Sequence, residues 1–238
     1  DHRATFEAHT TRFDASELST NHCLRAKTPP PLIDLCLRLL ATSFTQAPRP
    51  SLRGIPPRLV DKFVELLPPD LPLDVSAHLI ANESYWQRAA KAIWPICDVS
   101  DHGSSWKRLF FEKTVADFLE SFDPAKTEMA ELARILSLAK DYIFSLRLRH
   151  FPAHVDVELL FQKIPMLANL EMTYGVKNVG LEYTRELFGM PPADAVSLSR
   201  ALRVTETLTI LALPCNVLDD TTTRLLADGL HDNSTVTS

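Results

Sequence analysis

Glycine is scarce in this sequence, with six glycines among 238 residues. The G-x-G-x-x-G and Walker motifs, whose glycines let a backbone cradle phosphate, do not occur, and neither does G-x-S-x-G. The four cysteines form no C-x-x-C pair, which disfavours a zinc site or disulfide framework. We therefore expect reduced, mostly buried thiols in an intracellular protein. No apolar run approaches the roughly 20 residues that a membrane helix needs, and no signal peptide is recognisable.

Positive charge is also in short supply. Lys and Arg total 25 against 30 Asp and Glu, which gives a net charge of −5. A nucleic-acid-binding surface needs a basic patch, and the longest candidate is only Lys107-Arg108, so nucleic acid is not an expected partner. Hydrophobic residues make up 45% and charged residues 23%, a balance that permits a packed core and argues against global disorder.

Apolar residues at helical spacing dominate residues 32–141, which we interpret as a compact α-helical domain. The polar, aperiodic residues 1–31 are interpreted as an extended N-terminal arm. Residues 45–57 are rich in proline and predict a linker between helices. The predicted helices are 32–43, one from Pro57 to the Pro68-Pro69 stop, two short helices broken near Asn82 and ended before Pro95, 105–122, and one opened by Asp123-Pro124 and continuing through residues 126–142.

From residue 142 onward a different pattern repeats. Apolar residues stand at positions 0, 3 and 5 of three segments, each followed by a break and a helical apolar run. The starting positions are 24 (167 − 143) and 41 (208 − 167) residues apart, and the longer interval fits an insertion in residues 180–192. Strand, turn and helix in one unit is the pattern of a leucine-rich repeat. The triplets are Ile143, Leu146 and Leu148; Leu167, Leu170 and Met172; and Leu208, Leu211 and Leu213.

The predicted fold class is therefore α/β: a small N-terminal helical domain, then the first repeats of a leucine-rich-repeat solenoid over residues 142–238. Parallel strands would line its concave face and helices its convex face. A step of about 28 residues from Leu208 reaches Val236, where we expect a fourth strand to start and further repeats to follow. Asn216 is positioned to bond the turning backbone. The residues predicted to face the concave surface are Ser145, Arg147, Asn169, Glu171, Ile210 and Ala212.

Catalytic or metal-binding constellations are not evident, and no enzyme activity, cofactor or small-molecule substrate is expected. His150 and His154 have a metal-ligand spacing, but Pro152 lies between them and no further ligand completes a set. A cluster of Asp98, Asp101 and His102 is better explained as a capping loop than as acid–base machinery. Asp219-Asp220 is interpreted as a helix cap.

All three tryptophans, Trp86, Trp94 and Trp106, fall within 21 residues. Core packing is the default interpretation. If one of them is an exposed partner anchor, we expect it to be Trp106, because the neighbouring Lys107 and Arg108 would suit an acidic partner. The complete candidate interface adds concave-face residues and consists of Trp106, Lys107, Arg108, Arg147, Glu171 and Ile210.

Residues 70–112 resemble the helical domain of the dynein regulatory complex subunit 5 family, also called T-complex-associated testis-expressed protein 1. The tryptophan spacing makes the resemblance specific, and it covers roughly residues 50–238. The repeats also resemble the ribonuclease-inhibitor-type leucine-rich repeats of that family. The matching residues are Asp70, Leu71, Pro72, Leu73, Leu79, Ile80, Tyr85, Trp86, Arg88, Trp94, Pro95, Cys97, His102, Gly103, Ser105, Trp106, Lys107, Arg108, Phe110, Phe111 and Glu112.

This resemblance implies a non-enzymatic scaffold subunit of the nexin–dynein regulatory complex in the axoneme of cilia and flagella, part of the cytoplasmic cytoskeleton. That assembly links outer doublet microtubules and regulates dynein-driven motility. The expected partners are its other subunits, with doublet-microtubule or dynein components as further candidates, and neither membrane nor nucleic acid. Residues 54–94 also loosely resemble an F-box, so a ubiquitin-ligase adaptor is the alternative. A GTPase activator using Arg147 or Arg149 is a third.

Overall fold

The computed structural model describes residues 30–123, 128–151, 155–175 and 188–238. Within these ranges the chain is mixed helix and sheet, with ten α-helices and one parallel sheet in the order β1-β2-β3. The predicted N-terminal arm lies outside the described residues except for its last two positions. The helices are α1 (Leu32–Thr42), α2 (Pro48–Gly54), α3 (Pro57–Leu66), α4 (Leu73–Leu79), α5 (Glu83–Ile93), α6 (Trp106–Ser121), α7 (Met129–Ala139), α8 (Val157–Lys163), α9 (Pro192–Val204) and α10 (Asp220–Leu230); the strands are β1 (Ser145–Phe151), β2 (Asn169–Tyr174) and β3 (Ile210–Ala212).

Two predicted boundaries in the helical part were wrong. The proposed linker contains α2, because Pro48 occupies the first turn, where a missing N–H costs nothing. Helix α7 begins at Met129 and does not include Glu128, whose backbone is extended (φ −70°, ψ 141°), so it is not continuous with a start at Asp123-Pro124. Residues 124–127 lie outside the described ranges.

Helix α1 is confirmed, but its buried side is not the stripe that predicted it. Leu37 and Ala41 face α3 and are buried, whereas Leu32 is 76% and Leu39 71% exposed. An ion pair of 2.6 Å between Lys62 Nζ and an Asp34 carboxylate oxygen joins α3 to α1 in this orientation. Leucine-rich helices of this kind have apolar residues on more than one face, so spacing alone does not select the face that packs.

The core of the helical part is built around Trp86, which is fully buried. Its indole N–H donates to the Ile80 carbonyl at 3.0 Å. The rings of Tyr85, Phe110 and Phe111 lie 5.1–5.2 Å from its ring centre. The default interpretation of this tryptophan as a core residue is therefore confirmed.

The sheet aligns the predicted apolar triplets in register. Leu146 pairs with Leu170, and Leu170 pairs with Leu211, so the unequal spacing of the units along the chain leaves their stacking unchanged. Side chains alternate between a buried row and a more exposed row, as expected for strands with one face in the core. Helices α8, α9 and α10 follow the three strands, and α9 packs against both of the others.

The turn after β3 is tied to the end of β2 by Asn216, which is 2% exposed. Its side-chain oxygen accepts from the Tyr174 N–H and its amide donates to the Met172 carbonyl, both at 2.7 Å. The prediction that this side chain bonds backbone is confirmed, but the groups that it binds lie in strand β2 of the preceding unit and not in a turn. Gly189 (φ +89°) approaches the same turn; a Cβ there would lie 2.7 Å from the Asn216 carbonyl oxygen, so only glycine fits.

Residues 236–238 continue the pattern of backbone bonds beside β3. The Thr237 N–H donates to the Thr209 carbonyl at 2.9 Å, just as Thr209 donates to Ala168, and Ala168 to Phe144. Val236 is half-buried against the core. The structure has no strand at residues 236–238, so the expected fourth strand stays a prediction.

The expectation of mostly buried cysteines was wrong for the described residues. Cys36 and Cys215 are exposed, and Cys97 is half-buried. Cys36 lies on the outward side of α1, and Cys215 lies in the tight turn after β3 with φ +58°. Among the described helices, none is long and apolar enough to cross a membrane.

Tyr85 supplies a testable consequence of the buried aromatic cluster. Burial raises the pKa of this phenol to about 12. Its unfolded value is about 10, so the folded state holds the proton more tightly and gains stability that is fully present below pH 10 and lost as pH rises through 12. In urea unfolding between about pH 9 and pH 11, the wild type should lose stability faster than Tyr85→Phe. Parallel pH profiles would contradict this assignment.

Candidate functional site

The predicted interface residue Trp106 is the first residue of α6 and is half-buried. The Glu83 carboxylate accepts from the Ser105 hydroxyl (2.8 Å) and from the N–H groups of Trp106 (2.5 Å) and Lys107 (3.2 Å). A carboxylate at this position also interacts favourably with the helix dipole. The Lys91 ammonium lies 5.4 Å from the Trp106 ring centre. Trp106 thus retains a partly exposed ring, supported by a fixed helix start.

Lys107 is not available to a partner, which corrects its place in the candidate interface. The side chain is 7% exposed, and its ammonium donates to the Ala77 carbonyl (2.7 Å), the Ile80 carbonyl (3.1 Å) and the Tyr142 hydroxyl (3.0 Å). The same ammonium lies over the rings of Trp86 and Tyr142. A buried ammonium must satisfy its donors internally, and all three are satisfied here.

Arg108 is half-buried and packs against the start of the sheet. Its guanidinium carbon lies 4.1 Å from the Phe144 ring centre, and its Nη2 atom is 3.6 Å from a Glu112 oxygen. Of the two basic residues beside Trp106, Lys107 is therefore buried, and Arg108 contacts other residues of the fold. The apparent basic patch is mostly internal structure.

Lys107→Met tests whether this lysine is structural. The variant keeps the length and the apolar stem but removes three hydrogen bonds to buried acceptors, so the unfolding free energy should fall by about 2–4 kcal/mol. The exposed Lys140→Met is the matched control and should change stability by less than about 0.5 kcal/mol. Both are measured by urea unfolding. Equal unfolding free energies for the two variants would show that the hydrogen bonds of Lys107 do not stabilise the fold.

Glu112 joins the helical part to the sheet. It is 2% exposed, and one carboxylate oxygen accepts from the N–H groups of Phe144 and Ser145, both at 2.8 Å. The other oxygen is in very close contact with the His102 ring nitrogen Nδ1. Two turns farther along α6, Glu120 accepts from the Arg149 N–H at 2.7 Å. Helix α6 thereby covers the outer edge of β1 with carboxylates that bind its backbone donors.

Glu112→Ala should uncouple this junction. It leaves two partly buried N–H groups without their acceptor, and the expected loss in unfolding free energy is about 3 kcal/mol. Glu120→Ala removes an acceptor from one N–H and should cost about 1 kcal/mol. Exposed Glu65→Ala is the control and should be nearly neutral.

Amide hydrogen exchange gives a second readout of Glu112→Ala. The amides of Phe144 and Ser145 should exchange faster in this variant and remain unchanged in Glu65→Ala. Unchanged exchange at both amides would show that the carboxylate does not hold the strand edge.

The concave-face candidates lie in two lateral rows across the sheet. Ser145, Asn169 and Ile210 are paired neighbours in one row, and Arg147, Glu171 and Ala212 in the next. Arg147 Nε lies 3.0 Å from a Glu171 oxygen, so these two predicted residues form an ion pair. Ile210 is 41% exposed. The structure thus brings Arg147, Glu171 and Ile210 onto one face.

A groove of about 620 Å³ lies where α6, β1 and residues 94–102 meet. Sequence reasoning did not find it, because its walls come from three separate segments. The 3₁₀ turn Ser100–His102 forms part of one wall. The lining residues are Trp94, Ile96, Asp98, Asp101, His102, Glu112, Lys113, Ala116, Asp117, Glu120, Ser145, Arg147, Arg149 and His150.

Asp98, Asp101 and His102, considered above as an acid–base cluster, each interact with a different partner. Asp98 accepts from the Ser100 hydroxyl (2.6 Å) and N–H (2.9 Å), and these hydrogen bonds lower its carboxyl pKa. His102 contacts Glu112, and an Asp101 oxygen lies 3.8 Å from Arg147. Asp219 caps α10, as predicted. Among the described residues, no group of three or more His, Cys, Asp or Glu could hold a metal ion, and His154 falls outside them.

Comparison with known proteins shows which proteins this chain is similar to. A protein of Chlamydomonas reinhardtii is 40% identical over 196 residues, which cover 82% of this chain and 50% of that protein. This chain is similar to proteins named dynein regulatory complex subunit 5. The Homo sapiens and Mus musculus proteins of that name are 30% and 29% identical over 232 residues, covering 86% of this chain and 46% of theirs.

The resemblance predicted from the tryptophan-containing segment is thus supported by relatives of the same name. The chain spans about half the length of the curated relatives it matches. No family model matches the chain. The names of the relatives include no leucine-rich repeat, so that interpretation depends on the spacing of the triplets and on the register of the sheet.

Proposed function

We propose that the protein is a non-enzymatic scaffold subunit of the nexin–dynein regulatory complex in the axoneme. The observation that carries this proposal is the 40% identity to a dynein regulatory complex subunit over 82% of the chain. In this role the protein would help link outer doublet microtubules and regulate dynein-driven beating in cilia and flagella. None of the relatives named above is a ubiquitin-ligase adaptor, so the F-box alternative is not favoured.

The architecture that we propose for this role has two parts: a helical domain over residues 32–141, and the first units of a leucine-rich-repeat solenoid over residues 142–238. Parallel strands in register and a helix after each strand support the solenoid. Equivalent backbone bonds at Ala168, Thr209 and Thr237 support a regular repeat. A stack of this kind offers a long surface for holding other chains and needs no catalytic pocket.

The proposed partners are other subunits of the same complex, with doublet-microtubule and dynein components as further candidates. We retain Trp106, Arg108, Arg147, Glu171 and Ile210 as the proposed contact surface. The partly exposed indole and the 41% exposed Ile210 are the residues of this set most suited to bury apolar area at an interface. The Arg147–Glu171 ion pair would help to orient a bound partner and would add little to the binding affinity.

Localisation tests the proposal. The full-length protein, fused to a fluorescent tag and expressed in motile ciliated cells, should appear along the axoneme and remain there after detergent extraction. The tag alone is the control and should be washed out. A uniform cytoplasmic signal that is lost on extraction would overturn the assignment.

A further inference from the structure

We propose that the groove between α6, β1 and residues 94–102 binds a basic peptide segment of a partner protein through one large apolar side chain and flanking Lys or Arg residues. The inference deepens the proposed function, because it assigns a partner chemistry to a scaffold protein. It reverses the sequence-based expectation of an acidic partner, since Lys107 is buried and the groove, which Lys107 does not line, carries excess negative charge.

The apolar contact is provided by the last residue of α5 and the segment that follows it. Ile96 lines the groove and is 84% exposed, and Ile93, one residue before the lining residue Trp94, is 57% exposed. Exposed isoleucines beside a half-buried tryptophan in the chain are apolar residues of the kind found at protein interfaces. A pocket for a small ligand encloses its apolar residues, whereas Ile96 is open to solvent at this groove.

The segment is held rigidly, so a partner would not have to order it. The Trp94 indole N–H donates to an Asp117 oxygen at 2.8 Å, and the Lys113 ammonium donates to the Ile96 carbonyl at 3.3 Å. The same ammonium lies 5.2 Å from the Trp94 ring centre. The Cys97 thiol donates to the Trp94 carbonyl at 3.5 Å. Preorganisation of this kind lowers the entropic cost of binding.

The charge of the groove selects the partner. Five lining residues are carboxylates and three are Lys or Arg, which gives 3 − 5 = −2 with neutral histidines. Excluding buried Glu112, and Arg147 with its Glu171 pair, leaves four carboxylates and two cations, again −2. The exposed carboxylates would attract Lys and Arg and repel an acidic segment. The lining carboxylates are Asp98, Asp101, Glu112, Asp117 and Glu120.

A peptide-binding measurement on the whole chain tests the proposal. The probe is a fluorescein-labelled peptide in which Lys and Leu alternate, followed by fluorescence anisotropy. We compare it with a peptide carrying Glu in place of Lys and with one carrying Ser in place of Leu. The Lys–Leu peptide should bind most tightly, and its Kd should rise with salt because the charges involved are exposed.

Matched variants separate groove binding from general attraction to a negatively charged protein. Ile96→Ser should weaken binding of the Lys–Leu peptide about tenfold, as expected for loss of an anchor, whereas Val204→Ser, at a residue that is also largely exposed, should leave it unchanged. Asp101→Lys should weaken binding and reduce its salt dependence. The same charge reversal in Asp228→Lys, on α10, should have no effect. Thermal melts confirm that all four variants are folded.

Three outcomes would overturn the proposal: tighter binding of the Glu–Leu peptide, equal effects of the groove variants and their controls, or no binding of any peptide. Self-association of the chain through Ile96, detected by sedimentation, would likewise replace the partner peptide with a second copy. These failures are distinguishable from failure of the proposed function, because axonemal localisation can persist when this groove is empty.

Discussion

The contact on which the two halves of the structure depend is a buried carboxylate at the middle of a helix. Glu112 accepts two backbone N–H groups at the start of β1 and also contacts His102. A charge buried this deeply is tolerated only when donors surround it, and here the donors come from the strand edge itself. The orientation of the sheet against α6 is therefore set by hydrogen bonds as well as by apolar packing. The groove exists because these bonds bring β1 beside the outer face of the helix.

Lys107 is a buried cation that, like Glu112, joins α6 to neighbouring segments through hydrogen bonds. Its ammonium binds two carbonyls at and near the end of α4 and the hydroxyl of Tyr142, just ahead of β1. An apolar side chain in place of the lysine would remove this donor from the Ala77 carbonyl of α4, and the surrounding rings favour a cation. Two buried ions of opposite charge, five residues apart on α6, thus secure different neighbours. Each serves packing, and neither is free for recognition.

Much of the fold follows from local pattern. Asn82 and Ser105 mark the starts of α5 and α6 because their side chains accept from the first-turn amides, and such caps are visible in sequence. The apolar triplets predict the strands and their register, because the buried residues of neighbouring strands must lie side by side. The exposed side of α1 and the burial of Lys107 could not be predicted, because each depends on which distant surface packs against the helix. The junction made by Glu112 could not be predicted either, because Lys113 follows it in the chain and gives it the sequence context of an exposed helix residue.

The covered edge of β1 makes the two edges of the sheet different from each other. An exposed strand edge is a template for further pairing, and here one of the two edges is occupied by the carboxylates of α6. On the opposite side, β3 already bonds Thr237 and Ser238. A further strand would consequently meet occupied backbone donors beside β1, whereas the sheet is already extended by backbone bonds beside β3.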